Sequence, residues 1–157
     1  IWDDKGRGVC WLPRSVFAAH GFDLRDLGKR KQAAGYRDGL MELVGIARSH
    51  LENALKYTLL IPKDEPGIRR FCLWAIGMAV LTLQRIRRNP YFTSGEEVKI
   101  SRRSVRLVML ASNAVCRSDT ALRVLFAVGA AGQPRTERRR GLAAPCVRVG
   151  VKQKRAK

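Results

Sequence analysis

Residues 66–83 read PGIRRFCLWAIGMAVLTL, and within them Phe71 to Leu83 form the longest apolar stretch of the chain, broken only by Thr82. Thirteen residues fall short of the roughly 18 that a membrane-crossing helix needs, so the stretch reads as the core helix of a bundle. Pro66 suits a first helical position, where no backbone N–H is required, and Asn89-Pro90 breaks the helix after Arg87. Its centre is apolar on every side, which predicts neighbours packed all round it.

Working outward, Leu40, Leu43, Val44, Ala47, Leu51, Ala54, Leu55 and Thr58 follow the stripe of one long amphipathic helix over 32–61, ended by Pro62. Downstream, 91–100 reads as a loop with Ser94-Gly95 at its turn, and Ser101 as the N-cap of a third long helix over 102–128. Gly129 and Gly132-Gln133-Pro134 close it. Toward the N-terminus, RSVFAAHG (14–21) is a short helix stopped by Gly21, and IWDDKGRG looks like a helix end running into a turn at Gly6 and Gly8.

Strand alternation is nearly absent, so the fold class is all-α. One helix buried on all faces needs more neighbours than three long helices and a short one supply. Residues 1–133 therefore read as the carboxyl-terminal portion of a larger helical domain. Residues 134–157 have no apolar stripe and read as a basic, disordered tail.

The 157 residues carry 31 Lys and Arg against 13 Asp and Glu, a formal net charge of +18. A hydrophobic content of 46% excludes wholesale disorder, and 14 Gly and 6 Pro without a period exclude a collagen-like chain. Cys10, Cys72, Cys116 and Cys146 lie far apart with no CxxC pair, which argues against a zinc site or disulfide framework and for reduced thiols in the cytoplasm. The first ten residues match neither a signal nor a transit peptide. Residues 98–157 hold 15 basic and 2 acidic residues. Such asymmetry prompts an anionic-membrane or nucleic-acid reading, but a solvated helix face and an unstructured tail account for it better. No aromatics interleave the basic residues, so specific nucleic-acid binding is not expected. His20 and His50 stand alone, without a partner pattern for nucleophilic catalysis.

Three segments, read in order, resemble the squalene and phytoene synthase family of head-to-head prenyl diphosphate synthases, leaning toward its squalene branch. Asp3-Asp4 with Trp11-Leu12-Pro13 behind them is similar to the end of the family's second DxxxD motif and the GRxYLP segment that follows. Phe71-Cys72 with Met78-Ala79 and Thr82-Leu83 is similar to the helix that begins Phe-Cys and contains Met-Ala-x-x-Thr-Leu. Gly95 to Arg102, GEEVKISR, is similar to the G-x-VKI-basic segment. The resemblance covers about 1–128.

What the resemblance implies is an isoprenoid-synthase-type helical bundle that ionises allylic diphosphates. The leaving diphosphate calls for Mg²⁺ and hard oxygen ligands. Asp4 matches the last Asp of the motif and Asp3 the acidic residue before it; the motif's first Asp would precede Ile1. Arg7 is the nearest cation for diphosphate oxygens, whereas the family's usual Arg position holds Val9 here. Trp11, Phe71, Trp74 and Met78 would wall a water-excluding chamber for carbocations, although plain core packing explains the last three as well. Lys99 and Arg102 would meet NADPH phosphates or substrate diphosphate, and a basic helix start on the surface is the alternative for both.

The implied activity is condensation of two farnesyl diphosphates through presqualene diphosphate with NADPH reduction to squalene. A phytoene- or dehydrosqualene-type condensation without reduction is the first alternative. A basic helical module on nucleic acid or an anionic membrane is the second. The expected location is the cytoplasm, with peripheral attachment to the inner face of a membrane as a variant. The first Asp-rich motif is not within 1–157, so the chain alone is expected to be inactive.

Overall fold

In the computed structural model, residues 1, 4, 6–28 and 34–135 are described. Asp3, the start of the predicted 32–61 helix and residues 136–157 of the predicted tail lie outside them. Among the described residues every regular element is helical: α1 (Arg14–Ala19), a 3-10 turn (Leu24–Asp26), α2 (Ala34–Leu60), α3 (Pro66–Arg88), α4 (Gly95–Val98), α5 (Arg102–Val115) and α6 (Asp119–Gly129).

The helix end expected at the N-terminus is present. Val9 N–H donates to the Asp4 carbonyl at 2.9 Å across Gly8, whose φ of +75° only glycine adopts at no steric cost. The same closure ends α1 at Gly21, φ +70°, where Phe22 N–H reaches the Phe17 carbonyl and the Phe22 ring meets Phe17 edge-on at 6.2 Å. Phe17 also stacks on Tyr36 at 5.7 Å, seating α1 on the start of α2.

The core falls into two clusters. Phe17, Leu24, Leu27, Tyr36, Leu40, Phe92 and Val98 form the first, with Leu12 and Ile86 packed against it. Leu55, Leu73, Ile76, Val80, Cys116, Leu122 and Ala130 form the second, between α2, α3 and the C-terminal helices. Arg48 donates to the Gln133 carbonyl at 2.6 Å, and the Gln133 amide donates to the Val80 carbonyl at 3.0 Å, which pins the chain after α6 beneath α2 and α3.

Three expectations change. The helix foreseen over 102–128 is two helices, because Ser118 Oγ caps a new start by accepting from Ala121 N–H and Asp119 occupies the first turn, where the helix dipole favours a carboxylate. The loop foreseen over 91–100 contains the single turn α4. Glu97 holds it by accepting from the N–H groups of Thr93 at 2.8 Å and Ser94 at 3.0 Å. Finally, α3 is not packed on all sides. Its buried positions, Arg69, Leu73, Ile76 and Val80, trace one stripe, while Phe71 is 71% exposed on the opposite side. The described neighbours α2, α5 and α6 pack on α3, whose fully buried residues are confined to that stripe. With 23 residues and an 18-residue stretch of mean hydropathy 1.2, α3 is also the one described helix long and apolar enough to cross a membrane by length and composition.

Candidate functional site

Asp4 sits on the helix-ending turn, its carbonyl taken by the N–H groups of Arg7 at 3.0 Å and Val9 at 2.9 Å. The turn fixes the backbone of Asp4 and Arg7 together, three residues apart. The Asp4 carboxylate is partly exposed, and its ion-pair partner is the Ile1 amino group at 3.5 Å. Arg7 is exposed. Among the described residues no group of three or more His, Cys, Asp or Glu converges. The Asp4 carboxylate is a hard oxygen donor of the kind Mg²⁺ accepts, and the described residues by themselves form no ion site.

The first and third motifs come together at one end of the molecule. Leu12, from Trp-Leu-Pro, and Val98, from Val-Lys-Ile, pack on the same apolar cluster as Phe17 and Phe92. Trp11 itself projects from this end, 81% exposed. Lys99 follows α4 at the surface, donating to Glu96 at 2.8 Å, a bond that raises its pKa. Glu97 accepts bonds from Thr93, Asn89 and Ser94, and these hold its carboxyl below the ordinary range. Arg102 and Arg103 open α5 in solvent. Exposed cations at a helix start suit phosphate oxygens, and Lys99 would have to exchange Glu96 for them.

The second motif is divided between two faces of α3. Phe71, Trp74 and Met78 share one side at helical spacing. Trp74 and Met78 are half-buried, and the Trp74 indole N–H is enclosed without a hydrogen-bond partner. Ile86, beside the first cluster, is 15 residues from Phe71, or roughly 22 Å along the helix axis. Phe71 thus stands toward the far end of α3 from the cluster that Leu12 joins.

The other face of α3 lines an apolar cavity of about 340 Å³, closed by Leu55 of α2, Val108 and Ala111 of α5, and Leu122 and Phe126 of α6. Leu73, Ile76, Gly77, Val80 and Leu81 form its α3 wall, so none of Phe71, Trp74 and Met78 borders it. Gly77 is required here, because a Cβ at this position would come within 2.6 Å of Val108 Cγ1. Sequence reasoning did not single out this cavity. Its only signal was the spacing of Ser104, Val108, Ala111 and Ser112 within what read as one continuous helix.

Arg69, fully buried at the start of α3, was also missed. It donates to the Ile61 carbonyl at 3.1 Å and to Asp119 Oδ1 at 2.5 Å, and Lys63 reaches the other Asp119 oxygen at 3.4 Å. Arg69 chiefly, with Lys63, lowers the Asp119 pKa.

The acidic helix end, the Phe-Cys helix and the Val-Lys-Ile turn thus fall on one folded unit in the order the motifs require. Comparison with curated proteins and with solved structures gives no match. The family model for squalene/phytoene synthase matches residues 1–104, which contain all three segments; most of α5 and all of α6 lie beyond it. By that match the chain belongs to the squalene/phytoene synthase family.

Proposed function

We propose that this member of a prenyltransferase family works as the squalene-synthase type, joining two farnesyl diphosphates through presqualene diphosphate and reducing the product with NADPH. The observation that carries the reading is the family match over 1–104 together with an acidic turn, Asp4 to Val9, fixed by its own backbone bonds. Asp4, with Asp3 beside it in sequence, would supply carboxylate oxygens toward Mg²⁺, which when bound offsets the charge of the leaving diphosphate. Arg7, on the same turn, would bind diphosphate oxygens.

The exposed side of α3 would form one wall of a chamber that keeps water from the carbocations, with Phe71, Trp74 and Met78 facing the prenyl chains and Trp11 at the acidic end. Lys99 and Arg102 would hold phosphate oxygens of NADPH. The working location would be the cytoplasm. The organisation that goes with this reading is 1–133 as part of the catalytic helical domain and 134–157 as a tail.

The test is incubation of the intact enzyme with farnesyl diphosphate and Mg²⁺, with and without NADPH, and identification of the hydrocarbon formed. Squalene produced only with NADPH supports the reading. An unreduced product, indifferent to NADPH, transfers the assignment to the phytoene or dehydrosqualene type.

A further inference from the structure

The apolar cavity between α2, α3, α5 and α6 has no part in the proposed reaction. Leu55, Leu73, Ile76, Val80 and Leu122 of its walls belong to the second core cluster, whereas Leu12, behind the acidic turn, packs on the first. At about 340 Å³ it falls within the roughly 300–1,000 Å³ range of small-molecule sites. Leu107 of α5 and Leu125 of α6 line it and are 65% and 40% exposed, so it opens to solvent between those two helices.

The lining selects the kind of molecule that fits. Among the described residues that line the cavity no side chain is charged, and Ser104 and Ser112 of α5 are the polar ones. A diphosphate therefore meets no counter-charge here. Ser104 has a partner, its Oγ lying 2.9 Å from Ser101 Oγ. Ser112 is 3% exposed, and its hydroxyl has no hydrogen bond to any described residue. A hydroxyl left unbonded in an apolar wall is destabilising. Water is a poor remedy, since a buried water needs two to four polar partners and Ser104 stands eight residues, or roughly 12 Å along the helix, from Ser112. An oxygen carried in on a hydrocarbon satisfies both the hydroxyl and the apolar walls. A cavity of about 150 Å³ takes a benzene ring, so 340 Å³ has room for about ten to twelve carbon atoms.

We infer that this cavity is a binding site for an uncharged aliphatic molecule of that size, whose alcohol or carbonyl oxygen bonds to Ser112. The site is separate from the one proposed for the prenyl diphosphates, and its occupancy is measured without turnover.

Calorimetric titration of the intact enzyme with 1-decanol tests the inference. Saturable binding of one equivalent is expected, and decanoate at pH 8 should bind at least about tenfold more weakly, because its charge must be desolvated. Ser112→Ala should lower the affinity for 1-decanol about fivefold, the worth of one hydrogen bond. Ala111→Phe fills the cavity and should abolish binding, with a cooperative thermal melt retained. Should that variant fail to fold, Ser112→Ala, which removes only an unbonded hydroxyl, still decides. Phe71→Ala should leave the affinity unchanged, since Phe71 does not border the cavity. Absence of saturable binding, equal binding of decanoate, or an affinity that Ser112→Ala or a folded Ala111→Phe leaves intact overturns the inference. Loss of binding in Phe71→Ala overturns it as well, by giving the alcohol to the exposed side of α3.

Discussion

Arg69, fully buried, donates to Asp119 at 2.5 Å and so ties the first turn of α3 to the first turn of α6. The bond joins helices whose sequence positions are 50 apart, and it is asymmetric. Asp119 keeps partial access to water; Arg69 has none.

Removing the carboxylate should therefore hurt more than removing the cation. Asp119→Asn leaves a buried guanidinium without its counter-charge and should lower the melting temperature by about 5–10 °C. Arg69→Met fills the space and frees Asp119 to hydrate, and should cost less. Thermal melts of the two variants compare them directly; equal losses would contradict the asymmetry.

The same pair sets a response to acid. The folded-state pKa of Asp119 is lowered, so its contribution is complete above the ordinary carboxylate value of 3.8 and is lost as pH falls through the lower folded value. Unfolding curves of wild type and Asp119→Asn should differ at neutral pH and converge once pH falls below the lowered folded-state value. A constant gap down to the acid limit would exclude the pair as its source.

Gly77 and Val108 form a second coupled contact. Gly77→Ala places a methyl within 2.6 Å of Val108 Cγ1 and should cost about 1–3 kcal/mol. Val108→Ala alone also destabilises, by loss of packing, but in the double variant the two losses should not add. Additive losses in a double-mutant cycle would place the strain elsewhere.

Tyr36 is buried with its hydroxyl unpartnered, and burial pushes its pKa up to about 12. Ultraviolet titration should show one of the three tyrosines ionising well after the others. Tyr36→Phe removes only the orphaned hydroxyl, so stability should hold or rise by about 1 kcal/mol. A clear loss would mean that the hydroxyl has a partner.

In the intact enzyme, Asp4→Asn should reduce turnover by about 100-fold or more with an unchanged melting temperature, because its carboxylate is partly exposed. Phe71→Ala should likewise change stability by less than about 0.5 kcal/mol, since the ring is 71% exposed, while lowering turnover or altering product composition. Unaltered kinetics in both would remove the acidic turn and the α3 wall from the proposed site.

Much of this architecture is legible in the residues because its signals are local. Pro62, Pro66 and Asn89-Pro90 punctuate α2 and α3 through missing N–H groups and fixed φ angles, and Gly8 and Gly21 mark helix ends that need a positive φ. The break between α5 and α6 was also local, written in Ser118-Asp119, but the apolar residues running through it masked the cap. The motif residues of the candidate site could be picked out by resemblance, while their surroundings could not. Trp11 and Phe71 read as aromatic walls, and their exposure depends on what packs beside them.

Sequence alone determined the helical class, the helix ends marked by proline and glycine, and the family, since periodicity, such breakers and motif order are properties of neighbouring residues. Tertiary structure decided which side of α3 is buried, that Arg69 finds Asp119, and that α5 and α6 help to enclose an apolar cavity. These depend on the angle and distance at which helices far apart in sequence meet, and packing across the whole molecule sets both.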